Sequence, residues 1–86
     1  MDTIELEVYV DEGCATCRRA AALARQVEAE HPEVIVTLVY ARGDEGAHRH
    51  LVAAVPTYIL NGRVVSLGNP RLADLEAAIR LAGGPA

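Results

Sequence analysis

The sequence predicts an α/β fold with elements in the order β-α-β-α-β-β-α, forming a four-stranded mixed sheet flanked by three helices. Three observations carry this prediction. Two apolar strand segments flank a long amphipathic helix, and such a βαβ unit has parallel strands and a right-handed crossover. An Asn-Gly pair between two further strand segments is a strong hairpin signal. A final segment repeats apolar residues at helical spacing.

The first half of the chain supplies the βαβ unit. Residues Ile4–Val10 alternate apolar and polar side chains and then become apolar, as expected of a strand that is buried on both faces at its end. A helix is predicted from Cys14 to Glu30, because apolar residues fall on one line and charged residues lie outside it. Pro32 ends it, since a residue before proline avoids the helical region. Val34–Tyr40 is the second strand, rich in β-branched residues. The apolar line of the helix consists of Cys17, Ala20, Ala21, Leu23, Ala24 and Val27, with Arg18, Arg19, Arg25 and Glu28 outside it.

The second half supplies a hairpin between two helices. A short helix is predicted from Glu45 to Val52, with Asp44 as its N-cap. The segment Val55-Pro56-Thr57 leads into a third strand, Tyr58–Leu60. After the Asn61-Gly62 turn, residues 63–67 return as an antiparallel strand.

The last helix has conventional boundary signals. Asn69 is a candidate N-cap, and Pro70 suits the first helical position. Gly83-Gly84-Pro85 ends the helix. The apolar residues at helical spacing are Leu72, Leu75, Ile79 and Ala82.

Composition limits the classes of function. The chain has 86 residues, so we expect one domain over residues 1–86, and about half of the residues are apolar. Because there are three Tyr and no Phe or Trp, we expect a core of Ala, Val, Leu and Ile, with the tyrosines packed at its edge. A net charge of −4 without a basic stripe argues against nucleic-acid binding. No run approaches the ~20 apolar residues of a membrane span.

The cellular compartment affects how the cysteines are interpreted. Residues Met1–Glu7 carry three acids and no basic start, so we see no signal peptide and expect a cytoplasmic protein. Thiols are kept reduced in the cytoplasm, where a CxxC motif is catalytic or binds a metal. We expect a monomer.

Cys14 and Cys17 form the candidate catalytic motif Cys14-Ala15-Thr16-Cys17. In a first helical turn two such side chains share a face at about 5–6 Å, close to disulfide geometry. Cys14 falls at the predicted helix N-terminus, where unpaired backbone N–H groups stabilise a thiolate, the attacking form. We therefore expect a lowered Cys14 pKa. Cys17, one turn in on the apolar line, should be more buried and serve as the resolving thiol.

Other interpretations of the pair stay open. The two cysteines could be inert core residues. They could also hold zinc or an iron–sulfur cluster, although zinc usually takes four ligands and the chain has two Cys. His31, His48 and His50 lie far from the motif in sequence, so we predict no metal site within one chain, while a site shared between two chains remains possible. Asp11 and Glu12 disfavour a Cys14 thiolate, whereas Arg18 and Arg19 favour it.

With these features, the sequence resembles the thioredoxin superfamily over nearly its whole length. The segment from Val8 to Cys17 resembles the strand-loop-CxxC region of glutaredoxins, with Tyr9 and Gly13 at matching places. Val55-Pro56-Thr57 resembles the cis-proline loop of the superfamily, and residues 61–65 resemble its hairpin. CxxC alone is a weak signal, but these features in this order make a strong one.

The resemblance implies a thioredoxin-like fold and a substrate site. A proline at a strand start is ordinarily trans, but the resemblance implies that Pro56 is cis and lies against the two sulfurs. It also implies that the peptide unit of Val55 pairs with a bound disulfide substrate. Tyr9, Gly13, Val55 and Pro56 are thus the candidate substrate-binding residues, beside Cys14.

The chain departs from the family pattern at several places, beginning with the motif itself, where thioredoxins carry Trp-Cys-Gly-Pro-Cys and this chain has Gly13 before Cys14 and Ala15-Thr16 between the cysteines. Thioredoxins bury an acid six residues before the first Cys, and here that residue is Val8. Glutaredoxins hold glutathione with Gly-Gly and an Asp near the last helix, and neither is present at residues 66–71. Arg71 could contact a carboxylate, but a solvated arginine is the simpler interpretation. Glutathione is therefore a possible but unsupported cofactor.

The main hypothesis is a thiol–disulfide oxidoreductase whose redox-active group is the Cys14–Cys17 pair itself. Its partners would be protein or small-molecule disulfides, with glutathione or an unidentified reductase as electron donor. Two alternatives are a binding module that carries a metal or cluster through Cys14, and a non-catalytic adaptor that docks a partner around Cys14 and Pro56.

Overall fold

The computed structural model describes residues 3–11, 15–40 and 56–83. The elements are β1 (Ile4–Val10), α1 (Ala15–Glu30), β2 (Val34–Tyr40), β3 (Thr57–Leu60), β4 (Arg63–Leu67) and α2 (Leu72–Gly83). The four predicted strands and the first and last predicted helices are confirmed. The predicted helix from Glu45 to Val52 lies outside the described residues.

The four strands form one mixed sheet in the order β2-β1-β3-β4. β1 runs parallel to β2, with Ile4 opposite Val34, and antiparallel to β3, with Val8 opposite Tyr58. β4 pairs antiparallel with β3. The carboxyl end of β1 therefore meets the amino end of β3 at one edge of the sheet, and this edge positions the candidate site.

The predicted Asn-Gly turn joins β3 to β4. Asn61 has φ 50° and Gly62 has φ 84°, the left-handed pair that a two-residue hairpin turn requires. Asn61 also extends the pairing toward β1. Its N–H donates to the carbonyl oxygen of Glu5, and its Oδ1 accepts from the N–H of Glu5, both at 2.8 Å. The turn thus fixes the register of β3 against the central strand.

Both helices pack on the same face of the sheet. They cover the even-numbered side chains of β1 together with Tyr58 and Leu60 of β3. The predicted apolar lines are confirmed on both helices, since Cys17, Ala20, Ala24 and Val27 of α1 and Leu75 and Ile79 of α2 are buried. No helix within the described ranges is long and apolar enough to cross a membrane.

The tyrosines correct one expectation about the core. Tyr9 and Tyr58 are 0% exposed and head the largest buried side chains, whereas only Tyr40, 53% exposed, lies at an edge. Tyr58 packs among the residues under the helices, and Tyr9 lies on the opposite face with Ile59. Several core positions hold Ala or Val, and the two rings supply volume that these smaller side chains do not.

The start of α2 also differs from its prediction. The helix begins at Leu72, two residues after Pro70, and the carbonyl oxygen of Arg71 accepts the N–H groups of Asp74 and Leu75 at 3.0 Å. Asn69 does not cap this helix, because both ends of its side-chain amide bond to Tyr58 and Thr16. The Asn69-Pro70 signal for a helix start is present in the sequence, but the Asn69 amide forms its hydrogen bonds with Tyr58 and Thr16 and not with the helix.

His31 connects the end of α1 to α2. Its N–H closes the last helical turn by donating to the carbonyl oxygen of Val27 at 2.8 Å. Its ring lies 3.0 Å from a carboxylate oxygen of Glu76 and 3.5 Å from one of Glu33. The Glu76 hydrogen bond raises the pKa of His31, burial opposes the rise, and Glu33 adds to it.

Replacing His31 by Gln is expected to cost about 1 kcal/mol of unfolding free energy at pH 5.5 and less at pH 9. A pKa raised by folding gives stability that is fully present below the unfolded value, 6.5, and is lost as the pH rises through the folded value. Urea unfolding of wild type and variant at both pH values measures the difference. An equal loss at pH 5.5 and pH 9 would contradict a charge-dependent contact.

Candidate functional site

Cys17 lies in the first turn of α1 and is buried, as predicted for the second cysteine of the motif. The N–H of Asp11, the residue that follows β1, donates to the Cys17 Sγ at 3.4 Å. The thiol is therefore held between the end of the central strand and the start of the helix. Cys14 and Gly13 lie outside the described residues.

Pro56 lies at the same edge of the sheet as Cys17. It is buried and immediately precedes β3, and its carbonyl oxygen accepts the N–H of Gly68 at 2.7 Å. Thr57 stands opposite both Tyr9 and Leu67 in the sheet register. Tyr9, Pro56 and Cys17 therefore share one end of the sheet. Val55, and with it the Val55–Pro56 peptide bond, lies outside the described residues.

A side-chain bridge joins β3 to the CxxC motif. The hydroxyl of Tyr58 donates to Oδ1 of Asn69 at 2.7 Å, and Nδ2 of Asn69 donates to the carbonyl oxygen of Thr16 at 2.9 Å. Thr16 lies between the two cysteines of the motif. Asn69 and Tyr58 were not among the predicted site residues. The sequence signal for Tyr58 is its position on the inward face of β3.

The two buried tyrosines have raised pKa values for different reasons. Burial raises the pKa of Tyr58 to about 12, and the negative charge of a Cys17 thiolate adds to the rise. Burial also raises the pKa of Tyr9, with a contribution from Glu7. Tyr58 therefore stays neutral throughout the physiological range.

Val8 occupies the position six residues before Cys14 and is 0% exposed. It stands opposite Tyr58 in the sheet and belongs to the same buried cluster as Cys17. Thr57 is the buried polar residue of the described ranges, and no buried acid is found in those ranges. Val8, Cys17 and Tyr58 are thus members of one buried cluster, and Val8 contributes no polar group to it.

The other candidate side chains lie elsewhere. Arg71 is exposed and pairs with Asp74, with Arg71 Nε 3.1 Å from Asp74 Oδ2. The carboxylate that Arg71 contacts therefore belongs to a residue three positions further along the same chain. His31 follows the last turn of α1, about 20 Å along the helix from Cys17 at 1.5 Å per residue. His48 and His50 lie outside the described residues.

One group of described side chains could approach a metal ion. Glu30, His31 and Glu76 bring their ligand atoms within 4.8 Å of one another at the end of α1 away from Cys17. The hydrogen bond between His31 and Glu76 holds two of these three side chains together. The group therefore does not support the hypothesis of a metal held through the cysteine motif.

Comparisons with known proteins place the chain in a family. A family model described as Thioredoxin domain matches residues 4–80. No curated protein matches the sequence significantly. Among solved structures, Fasciola hepatica thioredoxin is similar at 25% identity, with 88% of this chain and 77% of that one covered and a TM-score of 0.72.

Two further structures support the fold. Thioredoxin f2 from Chlamydomonas reinhardtii is 20% identical, with 100% of this chain and 84% of that one covered and a TM-score of 0.77. Oxidised mitochondrial thioredoxin 3 from Saccharomyces cerevisiae is 17% identical, with 92% and 78% covered and a TM-score of 0.74. Identities this low establish the fold alone, whereas the family model spans most of the sequence. The chain belongs to the thioredoxin-domain family and has the thioredoxin-like fold that its sequence predicts.

Proposed function

We propose that the protein is a thiol–disulfide oxidoreductase in which Cys14 attacks and Cys17 resolves. The observation that carries the proposal is the placement of Cys17. It is buried in the first turn of α1, three residues after Cys14, at the sheet edge where β1 ends and where Pro56 precedes β3. Membership of a thioredoxin-domain family supports a general redox role at this edge.

The first step forms a mixed disulfide. The Cys14 thiolate attacks one sulfur of a substrate disulfide, the substrate S–S bond breaks, and the departing thiolate takes up a proton. Cys14 directly precedes α1, whose first N–H groups carry a partial positive charge that favours a thiolate. Tyr9, Gly13, Val55 and Pro56 form the proposed substrate-binding surface beside it.

The second step releases the reduced substrate. The Cys17 thiolate attacks the Cys14 sulfur, the Cys14–Cys17 bond forms, and the second substrate sulfur leaves as a thiolate that is then protonated. Two electrons pass from the dithiol to the substrate, a protein or small-molecule disulfide. Return to the dithiol needs an external thiol donor, which we propose to be glutathione or a dedicated reductase.

Replacing Cys17 by Ser is expected to trap the first step. Without its resolving thiol, Cys14 should remain bound to the substrate as a mixed disulfide that intact-protein mass spectrometry detects after incubation with hydroxyethyl disulfide. The wild-type protein should instead accumulate an internal disulfide. The matched control is Cys14→Ser with Cys17→Ser, which should form no adduct.

Two results would contradict the proposal. One is an absence of adduct in the Cys17→Ser protein under conditions where a free thiol reacts. The other is a metal or cluster that binds tightly to the anaerobically purified protein and no longer binds to the double variant. That result would favour the binding-module alternative.

Parallel turnover assays with glutathione and its reductase, and with thioredoxin reductase, identify the electron donor.

A further inference from the structure

The Cys17 sulfur lies against the backbone that follows the central strand. β1 ends at Val10, and the N–H of the next residue, Asp11, donates to the Cys17 Sγ at 3.4 Å. The donor is part of a planar peptide group, so it does not rotate independently of the backbone, and it does not titrate. The sulfur therefore has a fixed hydrogen-bond donor beside it at every pH.

The first turn of α1 is tied to β3, and this tie holds the sulfur near its donor. Nδ2 of Asn69 donates to the carbonyl oxygen of Thr16 at 2.9 Å, and Oδ1 of Asn69 accepts from the hydroxyl of Tyr58 at 2.7 Å. Thr16 directly precedes Cys17, which is itself 4% exposed and packed into the buried cluster. The N–H and the sulfur are thus preorganised for contact.

We propose that the backbone N–H of Asp11 stabilises the Cys17 thiolate when this residue resolves the mixed disulfide. The proposal rests on the oxidoreductase function above. In this step Cys17 loses its proton to solvent, its thiolate attacks the Cys14 sulfur, and the bond between Cys14 and the substrate breaks. The substrate leaves with the electron pair of that bond and takes up a proton, so charge and protons balance.

The physical reason is the negative charge that a buried sulfur must carry. Burial disfavours the charged form of an acidic group, and a hydrogen bond to the charged form favours it. A donor binds a charged acceptor more strongly than a neutral one, so the Asp11 N–H stabilises the thiolate more than the thiol. Its loss should act on the resolving step and not on the attack by Cys14.

Replacing Asp11 by Pro removes this N–H, since proline has none. The residue before it, Val10, is in a strand, which is the conformation that proline requires of its predecessor. Asp11→Ala is the reference, because both variants lack the carboxylate and only Asp11→Pro lacks the donor. In a Cys14→Ser background, the ultraviolet thiolate absorbance of Cys17 should titrate about one pH unit higher in Asp11→Pro than in Asp11→Ala.

Other ionisable groups lie at this end of the elements around Cys17, and both Asp11 variants retain them. These groups are Glu7 and Tyr9 of β1, Arg18 and Arg19 of α1, and Tyr58 of β3. A difference between the two variants therefore reports the N–H and not these side chains.

Stopped-flow kinetics of the dithiol protein separate the two steps. With excess dithiobis-nitrobenzoate, the attack by Cys14 releases one coloured thiolate and the attack by Cys17 releases a second. Below the Cys17 pKa, the second phase should be about threefold slower in Asp11→Pro than in Asp11→Ala, because a tenfold smaller thiolate fraction is partly offset by roughly threefold greater nucleophilicity. Above the pKa of both variants this slowing should vanish, and the first phase should differ by less than about 1.5-fold at either pH.

An ester in place of the Val10–Asp11 amide removes the N–H without a proline ring. The Gly13–Cys14 junction allows native chemical ligation of a synthetic peptide of residues 1–13 to residues 14–86. The ester protein should show the same slower second phase as Asp11→Pro. Its matched control is the all-amide protein made by the same ligation, and circular dichroism checks that both are folded.

An ester protein that resolves as fast as its all-amide control would overturn the proposal, whether or not the proline variant is slow. An equal Cys17 titration in folded Asp11→Pro and Asp11→Ala proteins would also overturn it. Failure of the proposed function gives a different result, since wild-type protein would then release no second coloured thiolate. In that case the titration of Cys17 still decides whether the N–H stabilises its thiolate.

Discussion

Replacing Cys14 by Ser is expected to lower the rate of disulfide reduction by about three orders of magnitude or more. A serine hydroxyl at this position is not ionised at neutral pH and does not displace a thiolate from a disulfide, so the first step has no nucleophile. Reduction of hydroxyethyl disulfide, followed with a coupled thiol donor, measures the loss. The far-ultraviolet circular dichroism spectrum should stay unchanged.

The matched control for this result is Cys17→Ser. That protein should still form the first mixed disulfide in a single turnover, because its nucleophile is intact, but it should turn over slowly. The pair of variants distinguishes the two roles. Full steady-state activity in the Cys14→Ser protein would show that another group carries the reaction and would remove the basis of the proposed mechanism.

Truncating Leu6 to Ala is expected to lower the free energy of unfolding by about 3 kcal/mol. Leu6 is 0% exposed in the central strand β1, where it pairs with Val36 on one side and Leu60 on the other. Its removal leaves a cavity beneath the helices that rigid neighbours fill only in part. Urea unfolding monitored by circular dichroism measures the loss.

Ile35→Ala is the control for the core truncation. Ile35 lies in the edge strand β2 and is 53% exposed, so its truncation should cost less than about 1 kcal/mol. Because small domains are only about 5–15 kcal/mol stable, the Leu6 variant should also unfold at a clearly lower temperature. Equal losses in the two variants would mean that burial in this sheet does not determine stability.

Local sequence signals were sufficient where one short segment determines the result. Residues 34–40 are rich in β-branched side chains, and Pro32 excludes a longer helix, so β2 and the end of α1 followed directly. Asn61 and Gly62 adopt the positive φ values that the hairpin turn requires. The CxxC spacing placed Cys17 on the apolar line of α1, and the structure confirms its burial.

Asn69 shows where local signals fail. An Asn before Pro predicts a helix N-cap, yet its amide bonds to Thr16, which is 53 residues away in sequence, and to Tyr58. A cap and a tertiary hydrogen bond each contribute about 1 kcal/mol, so local preference alone does not choose between them. The choice depends on whether packing brings a hydroxyl and a carbonyl within reach.

The sequence by itself determined the order of the described strands and helices, the hairpin turn and the spacing of the cysteine motif, because side-chain period and backbone dihedral preference act over a few residues. Only the tertiary structure decided that Tyr9 and Tyr58 are buried, that Asn69 bridges β3 and α1, and that Asp11 donates to Cys17. These contacts join segments distant in sequence, and they form because the sheet register brings the end of β1 beside the start of β3.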